Sequence, residues 1–382
     1  MKRSTDHILV THVGSLARPK DLMEMLLARN DGKPFDAAAL ARRTRESVAE
    51  VVQKQIDCGV DVINDGELGK SNFSRYTKER LGGFVERAAD DNFKPTSIFG
   101  RDMVEFTEYF NRGGRTSVGH HARVFYCIEP IKYVGQNAVK EDIANLTAAL
   151  QGKKYVEAFL PAVAPGTMEH WMKNEYYKSA EDYLFAIADA MHEEYKAIVD
   201  AGFVLQIDDP DLADAWQMYP QMSLADYRKY QELRIDALNH GLRGLPEDRV
   251  RFHMCWGSYH GPHKYDIPLR DIADLILKVK AGAYSIEASN PVHDHEWRVW
   301  EEVKLPAGKA LIPGVVGHYS DFIEHPRAIA DRLVRYAKVV GRENVIAGTD
   351  CGIGSRVGHP QVGWAKFQAM AEGARIASEE LW

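Results

Sequence analysis

His253-Met254-Cys255 sets an imidazole and a thiol two residues apart in an apolar segment. On a strand, residues at this spacing leave the same face, and Met254 packs on the other. Glu287 and Cys351 follow two later apolar runs, Ala283 to Ile286 and Asn344 to Gly348. Two thiols, an imidazole and a carboxylate form a four-coordinate set suited to zinc, because soft sulfur donors disfavour magnesium and calcium. The gaps between them are too long for a small zinc finger, so the ligands must come from separate strands of one larger unit. Such a cation can strip the proton from a thiol, polarise an oxygen or activate water. Alone, His-x-Cys also describes a core histidine beside a buried thiol; the two later residues favour a metal. Cys58 and Cys127 lie on a helix end and in an irregular region, and are read as packing.

Ser15, Glu67, Asp208 with Asp209, His318 and Asp350 close further apolar segments. A single carboxylate there commonly caps the next helix or pairs with a surface arginine. Glu67 and Asp208 together, beside a cation site, favour recognition of a positively charged group. Nearby glycines (Gly14, Gly66, Gly257, Gly314, Gly352, Gly354) permit close backbone approach to a ligand. His260, His263, His293 and His295 are read as exposed or hydrogen-bonded loop histidines and not as a second metal site.

Eight apolar runs can carry these residues: Ile8 to Val13, Val60 to Ile63, Tyr155 to Leu160, Phe203 to Ile207, Val250 to Cys255, Ala283 to Ile286, Ala310 to Val316 and Asn344 to Gly348. Most are separated by helical periodicity, as in Leu40, Val48, Val51, Val52 and Ile56, with Asp36 as N-cap and Gly59 as stop. Apolar strands alternating with helices predict a parallel sheet, and eight units predict a closed (β/α)8 barrel, the TIM-barrel class of α/β fold. No glycine fingerprint of a dinucleotide site follows the first strand. Residues 85–150 break the rhythm. They hold the strand-like segments Arg123 to Ile128 and Ile131 to Val134 and an Arg-Gly-Gly-Arg turn at 112–115. This region is expected to be a hairpin and lid inserted after the second strand, within one catalytic domain spanning residues 1–382.

Charge and composition narrow the partners. A formal net charge of −7 leaves no basic field for a phosphate backbone, so nucleic acid is excluded as a partner. No apolar run reaches the length of a membrane span, and the start lacks the apolar core of a signal peptide. A small-molecule enzyme of the cytoplasm is the expectation.

Six ordered segments carry a family resemblance: Thr11-His-Val-Gly-Ser15, Asp65-Gly-Glu67, Gln206-Ile-Asp208, His253-Met-Cys255, Ser285-Ile-Glu287 and Thr349-Asp-Cys-Gly352. Together they resemble the catalytic barrel of cobalamin-independent methionine synthase and its relatives, which include the zinc enzyme joining epoxyalkanes to coenzyme M. The chain resembles the single-barrel, methionine synthase II-like forms, with His-Val-Gly-Ser-Leu near the start and Glu324-His-Pro326 later. The resemblance implies zinc-dependent transfer of a methyl or alkyl group to a small thiol, with His253, Cys255, Glu287 and Cys351 as ligands. It implies that Ser15 binds the carboxylate of a homocysteine-like acceptor and that Glu67 and Asp208 bind its ammonium. A sulfonate acceptor would instead call for Arg or Lys. Asp208 and His318 are the implied catalytic residues. The sequence departs from the family at three places. His318 stands one position from the usual proton donor, Ile-Asp-Glu-Pro becomes Ile207-Asp-Asp-Pro210, and no folate-binding pattern appears between Tyr155 and Gly166. The competing expectation is a zinc-dependent lyase or hydrolase acting on a small oxygenated or thioether substrate in the same barrel.

Overall fold

Eight strands run parallel around a ring, and their shortness follows from where the apolar residues sit. The computed structural model describes residues 1–71, 73–88, 98–111, 123–354 and 356–382. In chain order the strands are β1 (Leu9–Val10), β2 (Val62–Ile63), β3 (Leu81–Ala88), β4 (Arg123–Tyr133), β5 (Glu157–Val163), β6 (Met172–Asn174), β7 (Val204–Asp208), β8 (Val250–Met254), β9 (Ala283–Ile286), β10 (Ala310–Val316) and β11 (Ile346–Thr349). The ring order is β1-β11-β10-β9-β8-β7-β5-β2. A bond from Asp61 N to Val10 O, 2.9 Å, ties the β2 end back to β1. This is the expected (β/α)8 barrel, and its strands are buried on both faces, as a helix-covered parallel sheet requires.

The helices form where capping and period predict. Asp36 accepts a hydrogen bond from Ala39 N at 3.0 Å to start Ala37–Asp57, which buries Leu40, Val48, Val51 and Val52. Ser179 does the same for Ala180–Asp200 through Asp182 N at 3.0 Å. Each such Leu, Ile or Val contributes roughly 1.5–3 kcal/mol by leaving water.

The interior of the ring is polar at mid-height. Arg251 is only 1% exposed. It donates to Gln206 Oε1 (2.7 Å) and, across the barrel, to Thr11 Oγ1 (2.9 Å) and His12 O (2.6 Å). Its guanidinium lies 3.4 Å from the centre of the Phe159 ring. Register then places Asp208 beside His253, and His253 beside Ser285, one layer nearer the C-terminal ends of the strands.

The insertion after β2 contains a hairpin, but Arg123 to Ile128 and Ile131 to Val134 form one strand, β4, and not two. β3 pairs antiparallel with β4, and β6 joins β4 in parallel. Pairing begins at Leu81, ahead of residue 85, because Leu81-Gly-Gly lacks the alternation that marks a strand in sequence. Gln136–Leu150 is a helix packed on Ala37–Asp57 and Ala180–Asp200, so this part of the 85–150 region belongs to the barrel's outer layer. The Arg-Gly-Gly-Arg turn at 112–115 lies outside the described residues. Two short helices, Gly100–Glu105 and Thr107–Asn111, dock on the barrel mouth. Arg101 donates to the carbonyls of Trp216, Tyr219 and Met222, and Tyr265 N donates to Asp102 Oδ1 at 3.0 Å. Gly100 is required for this docking, since a Cβ there would lie 2.4 Å from Gln217 O. Among the described residues no helix is long and apolar enough to cross a membrane.

Candidate metal centre and active site

His253, Cys255 and Cys351 converge. Their ligand atoms all lie within 4.8 Å of one another, where β8 and β11 end. The two sulfurs are 3.8 Å apart and belong to free cysteines. Within the pair Cys351 is the thiol held low, first by the hydrogen bond it accepts from Cys255 Sγ and then by the imidazoles of His318 and His253. Cys255 is pushed correspondingly high. His253 is 2% exposed, yet neither of its ring nitrogens has a hydrogen-bond partner among the described residues. A buried imidazole left unsatisfied beside two thiols is the arrangement a soft cation completes. The donor set therefore fits zinc.

Glu287 is the exception among the four anticipated ligands. Its carboxylate does not join that group. Oε2 accepts from Trp256 N (2.9 Å) and Oε1 from Asn290 Nδ2 (3.0 Å), and it clusters with His318 and Asp350. Asp350 is itself fixed by Ala288 N (2.9 Å), Ser289 N (2.8 Å) and Ser289 Oγ (2.5 Å).

His318 is fully buried and does not line the cavity above the metal centre. It reaches that cavity through Ser258. His318 Nε2 lies 3.1 Å from Ser258 Oγ, which donates to Cys351 Sγ at 3.3 Å. With its one proton directed at sulfur, the serine must accept from Nε2–H. Sequence reasoning missed Ser258, whose only signal was its place in the glycine- and aromatic-rich loop after β8.

The cavity, about 1150 Å³, is lined by Ser15, Glu67 and Asp208 together with His253, Cys255 and Cys351. Glu67 adopts a positive φ of 56°, rare for a residue with a side chain. The turn is fixed by Gly66 N on Asn64 Oδ1 (2.8 Å) and Glu67 N on Asp65 Oδ1 (2.9 Å). Gly14, at φ 138°, makes room for the carboxylate, since a Cβ there would come within 3.0 Å of Glu67 Oε1. Asp208 is pushed up to about 7, mainly by burial and further by Glu67 and Cys351, against the pull of His253. Arg18 was also missed. Its guanidinium lines the cavity and donates to Lys70 O (2.6 Å) and Glu67 O (2.8 Å).

The cobalamin-independent synthase catalytic-domain profile matches residues 142–375, which is more than half of the sequence. The chain belongs to this family. Proteins named methionine synthase from Thermococcus kodakarensis (22% identical) and Sulfurisphaera tokodaii (25% identical) each align with 97% of this chain and 93% of their own length. A B12-independent methionine synthase from Shewanella sp. W3-18-1, solved in complex with selenomethionine, superposes with a TM-score of 0.72 at 20% identity. That match covers 98% of this chain and 99% of the other. A putative vitamin-B12-independent methionine synthase from Listeria monocytogenes gives 0.67 at 18% identity, with the same coverage. These likenesses show a shared barrel.

Of the four loop histidines in this family member, His263 and His293 are tied into hydrogen bonds, whereas His260 and His295 are exposed. His263 Nδ1 meets Asp266 Oδ2 at 2.7 Å, and His293 bridges Glu296 Oε2 (2.8 Å) and Asp266 Oδ2 (3.3 Å). Burial works to lower the His293 pKa, but the bonds to Asp266 and Glu296 outweigh it and raise it to about 9. The folded state therefore holds this proton more tightly than the unfolded chain. Its contribution is full below about pH 6.5 and is lost as pH rises through about 9, on the order of 3 kcal/mol in all. Thermal melts between pH 6 and 9 should fall less steeply for His293→Gln than for the unmodified protein. Parallel slopes would refute the assignment.

Proposed function

We propose that the enzyme transfers a methyl group to the sulfur of homocysteine, with zinc held by His253, Cys255 and Cys351. The observation that carries this reading is the opening of the thiol–imidazole cluster and of Ser15, Glu67 and Asp208 into one cavity. Support comes also from the relatives named methionine synthase, which align along nearly the whole chain. A small, soluble, cytoplasmic enzyme acting on low-molecular-weight thiols is the corresponding setting.

Zinc, when bound, would lower the pKa of a substrate thiol so that it is presented as thiolate at neutral pH. The remaining work falls to the chain. Glu67 and Asp208 receive the acceptor's ammonium, which favours the ionised form of Asp208 over the neutral form that burial otherwise promotes. Ser15 donates to the carboxylate, with Arg18 adding positive charge on the same side of the cavity. Ser258 donates a hydrogen bond to Cys351 Sγ and is itself oriented by His318 Nε2, so the pair fixes the sulfur in place.

Calorimetry on the zinc-loaded protein tests the reading. Homocysteine should bind more tightly than 3-mercaptopropionate or 2-mercaptoethanesulfonate, which lack the ammonium. Glu67→Gln should weaken homocysteine about 30- to 100-fold, the loss of a charge-assisted contact in a buried site. Equal affinity for all three thiols, or an unchanged homocysteine affinity in the variant, would overturn the proposal.

A further inference from the structure

Lys366, on the helix Pro360–Leu381, is fully buried. An ammonium taken out of water is costly unless it is paired and hydrogen-bonded. Among the described residues its side-chain partners all lie in one loop, residues 317–325, between β10 and the helix Pro326–Val340. Nζ sits 2.9 Å from Glu324 Oε2 and 3.1 Å from Oε1, and it also donates to Phe322 O. Glu324 Oε1 in turn accepts from Gly317 N at 2.8 Å. One carboxylate thus ties the start of the loop to its end, and one buried cation holds the carboxylate. The rest of the Glu324-His-Pro326 motif anchors the loop to the helix that follows. His325 Nδ1 accepts from Arg327 N at 3.1 Å, and Pro326 opens the first turn.

The loop closed in this way reaches both segments that carry the sulfurs. Tyr319 donates its hydroxyl to Gly257 O at 2.5 Å, and His318 Nε2 meets Ser258 Oγ at 3.1 Å, just beyond Cys255. On the other side, Gly358 N, in the segment after Cys351, donates to Asp321 Oδ1 at 2.7 Å. Ser258 then donates to Cys351 Sγ at 3.3 Å. A continuous path therefore runs from the Lys366 ammonium through Glu324, the Gly317 peptide, His318 and Ser258 to a sulfur of the metal centre. Neither Lys366 nor Glu324 lines the cavity, so any effect they have on that sulfur travels through the loop.

We propose that Lys366 and Glu324 are positioning residues of the metal centre: together they latch the loop that sets His318 against Ser258, and so govern the hydrogen bond on Cys351 and the hold on the cation. The inference rests on the reading of His253, Cys255 and Cys351 as a zinc site. A hydrogen bond to a metal-bound sulfur draws charge from it and fixes its direction, which makes the bond strength sensitive to where Ser258 points. Without the ammonium, Glu324 becomes a largely buried carboxylate held by the Gly317 peptide, and it is driven toward water. The loop then loses the tie that places His318.

The full chain loaded with zinc, or with cobalt in its place, tests the latch. Lys366→Met should speed zinc transfer to a chromophoric chelator about tenfold, the lower end of the range for residues that support a metal ligand. It should also shift the sulfur-to-cobalt charge-transfer band, as Ser258→Ala should. In the Ser258→Ala background Lys366→Met should add less than twofold to zinc release, because both changes act through one hydrogen bond. Glu324→Gln, which keeps an oxygen for Gly317 N, should release zinc more slowly than Glu324→Ala. An unmoved band and release rate in Lys366→Met, or effects that multiply in the double variant, would overturn the latch and leave the zinc site standing. Failure of the unmodified protein to take up zinc or cobalt would instead sink the site reading on which the proposal depends. Should Lys366→Met fail to fold, the two Glu324 variants decide, and equal release from both would refute the latch.

Discussion

Cys351→Ser is expected to strip the metal from the protein and to cut methyl transfer by more than about 100-fold, the upper range for losing a mere supporting partner of a metal ligand. Cys351 is the low-lying thiol of the pair and the member that Ser258 touches, so it carries the negative charge that best holds a soft cation. A serine oxygen is harder and protonated at neutral pH, which leaves His253 and Cys255 as the only nearby soft or nitrogen donors of the cluster. Metal content by mass spectrometry, with far-ultraviolet circular dichroism to check folding, reads the effect. Cys58→Ser is the control, because that sulfur sits on the outer packing of the barrel, 3.8 Å from Trp364 O. Full zinc retention in Cys351→Ser, or equal zinc loss in the control, would refute the assignment of the centre.

Arg251→Met should destabilise the barrel by about 3–5 kcal/mol, the range for breaking a buried charged network. Methionine fills much of the stem's volume, but three buried acceptors (Gln206 Oε1, Thr11 Oγ1 and His12 O) lose their donor. Each orphaned group costs roughly 1–3 kcal/mol. The substitution also removes the positive charge below Asp208, so that carboxyl should rise above about 7 and homocysteine binding should weaken at neutral pH. Urea denaturation gives the stability, and a midpoint unchanged within experimental error would show that the guanidinium does not bind the ring together.

The elements that position the site were readable along the chain for a local reason. A strand covered by helices is apolar throughout, and a helix buries every third or fourth residue, so both patterns appear within a few turns of sequence. β7, β8, β9 and β10 sit where their apolar runs predict, and so does the helix started by Asp36. β1 and β2 are shorter than their runs, since only part of each runs alongside a neighbour. The hairpin strand β3 was hidden by its two glycines, which carry no polarity signal.

Residue order also held the identities of the metal and acceptor groups, because a strand end in a barrel faces the mouth whatever its partners are. Which of those groups touch was a matter for the fold. Glu287 and His318 were read at strand ends like the others, yet Trp256 N and Asn290 hold one, and Ser258 stands between the cavity and the second. Ser258 gave only a weak signal in sequence, its place in the glycine- and aromatic-rich loop after β8, since its importance lies in distant partners. A hydrogen bond that joins residues nearly a hundred positions apart forms only when the ring closes and brings the ends of β8 and β11 within reach.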